Sequence, residues 1–396
     1  MTDRPGPPVV NRLYWLDGMK GISILLIVLF HFFSAYDTGR YPWPLGIERF
    51  PSFIRQCAAS SFAQTISCFL DACCASILQR GPHAVGVFLI LSGFGLTYSL
   101  TKTGNPKDGW LRWYGKRLMR LFPMYWVAHV VYLISPLVYR QDAIDYRFLL
   151  SLLGDRVFPV EKMFYYINPA WWFFGLLLEL YLVFPLLFRL LQRIGPPRYL
   201  VVCGVTTMVS QYVLTGLLQA NGDYAQGAFF GARLWEFALG MSLAVIYRKS
   251  PMLVEQWLFS RRTLAAGMLI YVLGIMSYRP TFTYIWSDGL IATGFFIITA
   301  HVVKAACRAR WMGSVIMTVG VYSYGLYLLH QPYVITLGKR LGGLSMFEFL
   351  PCAIAIVAVI TLGSIVTERL VNALVNRLSN RGKAVPLAEP PVAPQT

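Results

Sequence analysis

Residues 16–36 read LDGMKGISILLIVLFHFFSAY, a membrane-length apolar run with Lys20 near its start and His31 near its end. The step between them turns a helix by roughly 1100°, three turns plus about 20°, so both side chains fall on one face. The same step covers roughly 16 Å of axis. A basic group at one membrane surface and an imidazole near the other therefore share a stripe. Ionisable groups inside a bilayer are costly and mark a path or a site. Spacing alone leaves a blander alternative open: a snorkelling lysine, and a histidine bonded to a neighbouring helix.

Outward from this run, composition sets the class. The 396 residues are 56% hydrophobic and 13% charged, which with several long apolar runs predicts a polytopic membrane protein and excludes an ordinary soluble domain. A net charge of +17 would point to nucleic acid in a soluble protein. Here basic loops on one side of a membrane account for it, and no nucleic-acid partner is expected. Residues 1–13 are polar and Pro-rich and no small-residue cleavage site follows the first run. That run is expected to be the first span and not a signal peptide.

The expected fold is all-α, a polytopic membrane helix bundle of about ten transmembrane helices. The spans are placed near 14–36, 82–100, 116–139, 170–191, 199–219, 228–247, 262–278, 285–306, 314–336 and 349–371. Alternate connections are basic, carrying Lys102, Lys107, Arg112 and Lys116, then Arg189, Arg193 and Arg198, then Arg248, Lys249, Arg261 and Arg262. Lys304, Arg308 and Arg310, then Arg377, Arg381 and Lys383, continue the set. The intervening connections are mixed or poor in Lys and Arg; one holds Asp223 alone and another Arg279. The positive-inside rule then puts both termini in the cytoplasm, Lys20 near the inner face and His31 toward the outer one. The expected organisation is a cytoplasmic segment 1–13, a membrane domain 14–372 and a disordered cytoplasmic tail 373–396. The outer connection 37–81 has apolar residues at helical spacing and reads as an amphipathic helix. It holds Cys57, Cys68, Cys73 and Cys74, either disulfide partners in an oxidising compartment or small packing residues. No Cys/His spacing suggests a metal site.

Polar residues inside the spans carry the chemistry. Arg117 and Arg120, in KRLMRLFP, either hold phosphates or snorkel; the Arg fork suits phosphate oxygens. Ser92 and Gly93 end an apolar run, where small residues serve packing or a polar passage. Glu179 sits mid-span, so it is neutral, paired or water-lining. Arg233 and Glu236 read as an intrahelical pair, and Asp288 as an interface residue. His330 falls at the same expected depth as His31.

In order along the chain, LDGMKGISILLIVLFH, GVFLILSGFGL, KRLMRLFPMY, WWFFGLLLELYLVFP and YSYGLYLLHQP together resemble the integral-membrane acyltransferase 3 family, which contains O-antigen and exopolysaccharide O-acetylases. Lys20 and His31 fill its Arg/Lys-x10-His motif. Arg117 and Arg120 match its Arg-x-x-Arg motif, and Ser92, Gly93 and Phe94 its SGF string. Trp172, Tyr181 and Pro185 match a fourth string; Ser323, Tyr324, Tyr327, His330 and Pro332 match a fifth. Two departures stand out. Lys20 replaces the commoner arginine, and the places of the family's fourth-span carboxylate hold Leu177 and Leu178, with Glu179 one step later.

The resemblance implies transfer of an acyl group, acetyl being expected, from cytoplasmic acyl-CoA to a carbohydrate or glycolipid hydroxyl on the extracytoplasmic side. It implies no permanently bound cofactor; acyl-CoA is the donor substrate. No esterase-like domain follows the last expected span, so handoff to such a fused domain is not expected. His31 is expected as general base, or as a transient acyl carrier, with His330 beside it in catalysis. Lys20, Arg117 and Arg120 are expected to hold the donor, and Asp17, Ser92, Glu179 and Tyr324 to support the substrates. The expected location is a bacterial inner membrane. A proton-coupled transporter or a flippase of lipid-linked glycans is the alternative.

Overall fold

A computed structural model describes residues 13–57, 62–101, 103–140, 142–156, 158, 160–218, 229–278 and 284–381. Among the described residues the chain is helical, with no strand. The first span is α1 (Tyr14–Tyr36); α2 (Phe50–Cys57) and α3 (Phe62–Leu78) follow, then α4 (Ala84–Leu100) and α5 (Gly109–Ile134). Two short helices, α6 (Tyr146–Leu152) and α7 (Val160–Met163), precede the long α8 (Trp172–Tyr212). The second half comprises α9 (Leu234–Lys249), α10 (Pro251–Leu258), α11 (Arg261–Met276), α12 (Tyr284–Ala306), α13 (Arg310–Val321), α14 (Ser323–Arg340) and α15 (Met346–Arg381).

The expected spans overlap these helices, two of them on α8 and one across both α13 and α14. By length and composition, five described helices can cross a membrane, or up to seven if each of two bent pairs is one span. The bent pairs are α10 with α11 and α13 with α14. Two others fall short for visible reasons. The first half of α5 is basic, with Arg112, Lys116, Arg117 and Arg120. Helix α9 has 16 residues, about 24 Å of rise against a hydrocarbon core of about 30 Å.

α8 is not one rod. Gly195 has φ 75° and ψ 164° inside it, followed by Pro196 and Pro197. Glycine alone enters that left-handed region without strain, and the two prolines restart a helix rather than continue one. A straight helix would put Glu179 and Gln211 roughly 48 Å apart. Instead Glu179 accepts from the Phe230 amide at 3.0 Å and Gln211 donates to the Ala232 carbonyl at 3.4 Å. The chain therefore reverses at Gly195, and the expected fourth and fifth spans are two antiparallel arms. Residues 219 and 228, at the ends of the fifth and sixth expected spans, lie outside the described residues, as do Lys102, Asp223, Arg279 and Lys383.

The ninth expected span differs. It is broken at Tyr322, where α13 and α14 meet at 82°. The last helix runs to Arg381, past Asn372, where the tail was expected to begin. Pro123 lies within α5 and does not interrupt it. In the 37–81 connection, helices α2 and α3 pack together, and Cys57 and Cys68 are bonded with S–S 2.10 Å.

Backbone-to-backbone contacts fix the centre. α1 packs on α4, α12, α13 and α14, and α4 packs on α9. A Cβ added at Gly21 would lie 2.0 Å from the Ile316 carbonyl oxygen; at Gly240 it would lie 1.8 Å from that of Ile90. Small residues allow such approach where lipid supplies no hydrophobic drive between helices. Gly93 faces the Phe237 carbonyl in the same seam, so its role is packing. Gly240→Ala is expected to cost about 1–3 kcal/mol by overpacking, and so to lower the melting temperature in detergent by several degrees. Gly115→Ala, which adds a methyl to open space, serves as the comparison and should leave the melting temperature in place. Equal melting temperatures for the two would refute the close-contact account.

Candidate active site

The side chains of Lys20, Ile24, Ile27 and His31, at steps of four, three and four on α1, line a cavity of about 570 Å³. This is one face of a helix. α4 contributes Ser92, α5 contributes Arg117 and Arg120, α8 contributes Tyr181, α14 contributes Tyr324 and Tyr327, and α15 contributes Glu368. Asp17 lines the same space. Seven residues singled out from sequence thus converge on one cavity: Asp17, Lys20, His31, Ser92, Arg117, Arg120 and Tyr324.

The cavity has two ends. Trp15 packs on Phe94, ring centroids 5.6 Å apart, and Phe30 lies against Gly81, so α4 runs antiparallel to α1. Arg117 reaches Ser99, near the last turn of α4, at 3.4 Å, and its guanidinium lies 5.3 Å from the Trp113 ring. Arg117 therefore sits at the Lys20 end. Arg120 follows one turn on, and the Tyr324 hydroxyl donates to the Leu121 carbonyl at 2.8 Å, holding α14 to that turn. Lys20 is 3.4 Å from Asp17. Glu368 accepts from the Gly325 amide at 2.8 Å. Three cations and two carboxylates line this end, which leaves it electropositive.

The other end holds imidazole. The rings of His31 and His330 are 5.3 Å apart. His330 is fully buried; its Nδ1 donates to the carbonyls of Leu326 and Tyr327 at 3.0 and 2.9 Å. Those bonds fix the tautomer, so Nε2 carries a lone pair, and it has no hydrogen-bond partner among the described residues. Gln331 accepts from the Ala170 amide through Oε1, which turns its Nε2 toward His31 Nδ1 at 3.5 Å.

Some assignments change. Glu179 does not line the cavity. Its carboxylate meets the Phe230 amide at the entry to α9, so it supports the fold there, not a substrate. Two residues from both Leu177 and Tyr181, it points about 160° away from the face they share toward the cavity. His330 adjoins His31 without lining the cavity itself. Asp288 is not merely interfacial: its carboxylate lies 3.4 Å from Arg233, which also meets Glu236 at 2.8 Å. Glu368, Tyr322 and Asn372 line the cavity and were missed from sequence. A carboxylate within the last long apolar helix was the available signal for Glu368.

Comparison with known proteins gives the family. The acyltransferase domain model of the acyltransferase 3 family matches residues 13–369, and the chain belongs to that family. It is 25% identical over 287 residues to Acyltransferase MdmB of Streptomyces mycarofaciens, covering 67% of this chain and 71% of that protein. It is 24% identical over 285 residues to O-acetyltransferase OatA of Staphylococcus aureus, covering 65% of this chain and 47% of that protein. The matched region thus spans about half the length of OatA. No solved structure matches the chain. The protein is a membrane O-acyltransferase of this family.

Glu179→Ala leaves the Phe230 amide without its acceptor, a loss of about 1–3 kcal/mol. Glu179→Gln keeps a carbonyl oxygen there. Thermal unfolding should therefore separate Ala from Gln, while the KM for the acyl donor stays at the parental value in both. A raised donor KM in the Gln variant would return Glu179 to the site.

Proposed function

We propose that the protein moves an acyl group, acetyl first among candidates, from cytoplasmic acyl-CoA to a carbohydrate or glycolipid hydroxyl on the far side of a bacterial inner membrane. The observation that supports this reading is the single cavity with cations at one end and imidazole at the other. In this reading Arg117, Arg120 and Lys20 face the cytoplasm, as the charge of the connections predicts. Arg117 and Arg120 take the CoA phosphates; the guanidinium fork matches phosphate oxygens bidentately. Lys20 takes oxygens of the pantetheine arm. The arm is thin and long, and about 16 Å of axis separates Lys20 from His31.

The thioester carbonyl then lies beside His31. A sugar hydroxyl is a poor nucleophile at neutral pH and needs a base of imidazole's range. A ring nitrogen of His31 takes the hydroxyl proton as the oxygen attacks the thioester carbon. The C–O bond forms and the carbonyl electrons move to oxygen. Collapse of this tetrahedral species breaks the C–S bond, and the leaving CoA sulfur takes the proton from His31. The buried lone pair of His330 has no other donor among the described residues and supports the imidazolium while it exists. Ser92 and Tyr324 shape the passage. A covalent acyl group on His31 is the variant of this mechanism, and ping-pong kinetics distinguish it.

The test is CoA release by purified protein in nanodiscs, with glycan acceptor present. His31→Ala is expected to lower kcat by about 10²–10⁴. Arg117→Ala/Arg120→Ala is expected to raise the KM for acetyl-CoA about 10- to 100-fold, the loss of charge-assisted bonds, with a smaller change in kcat. Parental turnover in folded His31→Ala protein would overturn the catalytic assignment. No turnover with any acyl donor would favour the glycan transporter.

A further inference from the structure

A second cavity, of about 380 Å³, adjoins the first at its His31 end. The two share Val85 and Trp172, so the wall between them is one side chain thick. Phe30, the neighbour of His31, packs its ring 5.6 Å from that of Trp43, which lines the second cavity. Its lining comes from residues 43–48 and 79–85, from 164–172, and from the facing ends of α11 and α12.

Two features describe its occupant. Trp43, Tyr165 and Tyr278 line it yet remain 57%, 46% and 48% exposed. Aromatic residues of a headgroup belt look out at lipid; these three look onto a cavity. Flat apolar faces of this kind cover the C–H faces of a sugar ring, and their polar edges meet its hydroxyls. The second feature is charge. The charged groups lining the cavity are Glu48, Arg80, Arg233 and Asp288, two acids against two bases. Arg233 is tied to Asp288 at 3.4 Å, and Arg80 donates to the Leu45 carbonyl at 3.2 Å. The groups are fixed and balanced, which suits uncharged hydroxyls; a phosphate or carboxylate ligand calls for surplus cation, as at the Lys20 end of the first cavity. A small number of placed polar groups among aromatic walls is also the general make-up of a small-molecule site.

We propose that this second cavity is the acceptor site and takes a neutral sugar unit, one of whose hydroxyls passes the Val85–Trp172 wall to reach His31. The proposal rests on the acyl-transfer reading and deepens it. Donor and acceptor then occupy separate chambers sorted by charge, and they meet at one imidazole.

The experiment uses the full chain in nanodiscs, labelled acetyl-CoA, and a set of neutral oligosaccharides with their phosphorylated counterparts. Trp43→Ala and Tyr278→Ala are each expected to raise the acceptor KM about tenfold or more, while the Kd for acetyl-CoA, measured by direct binding, stays within about twofold. Tyr278 lies just past the end of α11 and is about half exposed, so its removal leaves the buried packing of the bundle in place. Acceptor KM values within about twofold of parental in both variants overturn the proposal while leaving the transfer reading standing. A parallel loss of acetyl-CoA affinity in both variants also overturns it, because the effect is then structural. Transfer only to phosphorylated glycans overturns the neutral-sugar class. A parent protein that transfers to none of them removes this proposal together with the reading beneath it.

Discussion

A bilayer leaves a polar side chain two options: a partner or a cavity. α1 carries Lys20 and His31 on one stripe of an otherwise apolar helix, and the bundle is arranged around that demand. One face of α1 is given to contact, with Gly21 against the backbone at Ile316 and Gly18 against Val303. The stripe from Lys20 to His31, about a third of a turn round the helix, faces space. Close backbone packing on one side is what allows the helix to hold an open cavity on the other, because the glycine seams fix its position without bulky side chains. The same device recurs where α4 meets α9 through Gly93 and Gly240, and there it positions Ser92.

Much of this was legible in the sequence because the period of a helix is fixed. Lys20 and His31 share one stripe as their spacing required, the family resemblance implied that Arg117, Arg120, Ser92 and Tyr324 join them, and the position of each expected span was set by hydropathy. What was not legible depends on contacts between distant residues. Glu179 reads as a lone mid-membrane acid until the Phe230 amide, far along the chain, is placed against it. Asp288 reads as interface until Arg233 comes within 3.4 Å. The break at Tyr322 was hidden because α13 and α14 together have the length of a span, and hydropathy carries no record of an 82° bend. Gly195-Pro196-Pro197 did mark the reversal in α8, through local conformational rules alone.

One buried cation explains how the wall between the two cavities is held. Arg156 is fully buried, with no carboxylate among its partners in the described residues. It donates to the Tyr125 hydroxyl at 2.7 Å, to the Tyr166 carbonyl at 2.7 Å and to Ser151, and its guanidinium lies 5.1 Å from the Trp171 ring. Ser151 in turn meets His129 Nε2 at 2.8 Å. A guanidinium has five donors and is weakly hydrated for a cation, so it can be buried on neutral oxygens and aromatic faces where an ammonium would not persist. This network binds the 142–168 connection to α5 and to the start of α8. Trp171 is further fixed by its indole N–H, which donates to the Leu328 carbonyl at 2.9 Å on α14, two residues before His330.

Trp172, the shared wall, follows directly on this anchored residue. The ring of Trp172 stacks on Phe164, centroids 6.0 Å apart with planes 10° from parallel. The wall is therefore set by a rigid, fully bonded cluster on one side and an aromatic stack on the other. α14 serves both, since it presents Leu328 to Trp171 and His330 to His31. A displacement of α14 would move the wall and the histidine pair together. Under the proposed two-chamber transfer, this coupling keeps the base and the passage to it in register when both substrates are bound. Short, direct contacts from that one helix hold both.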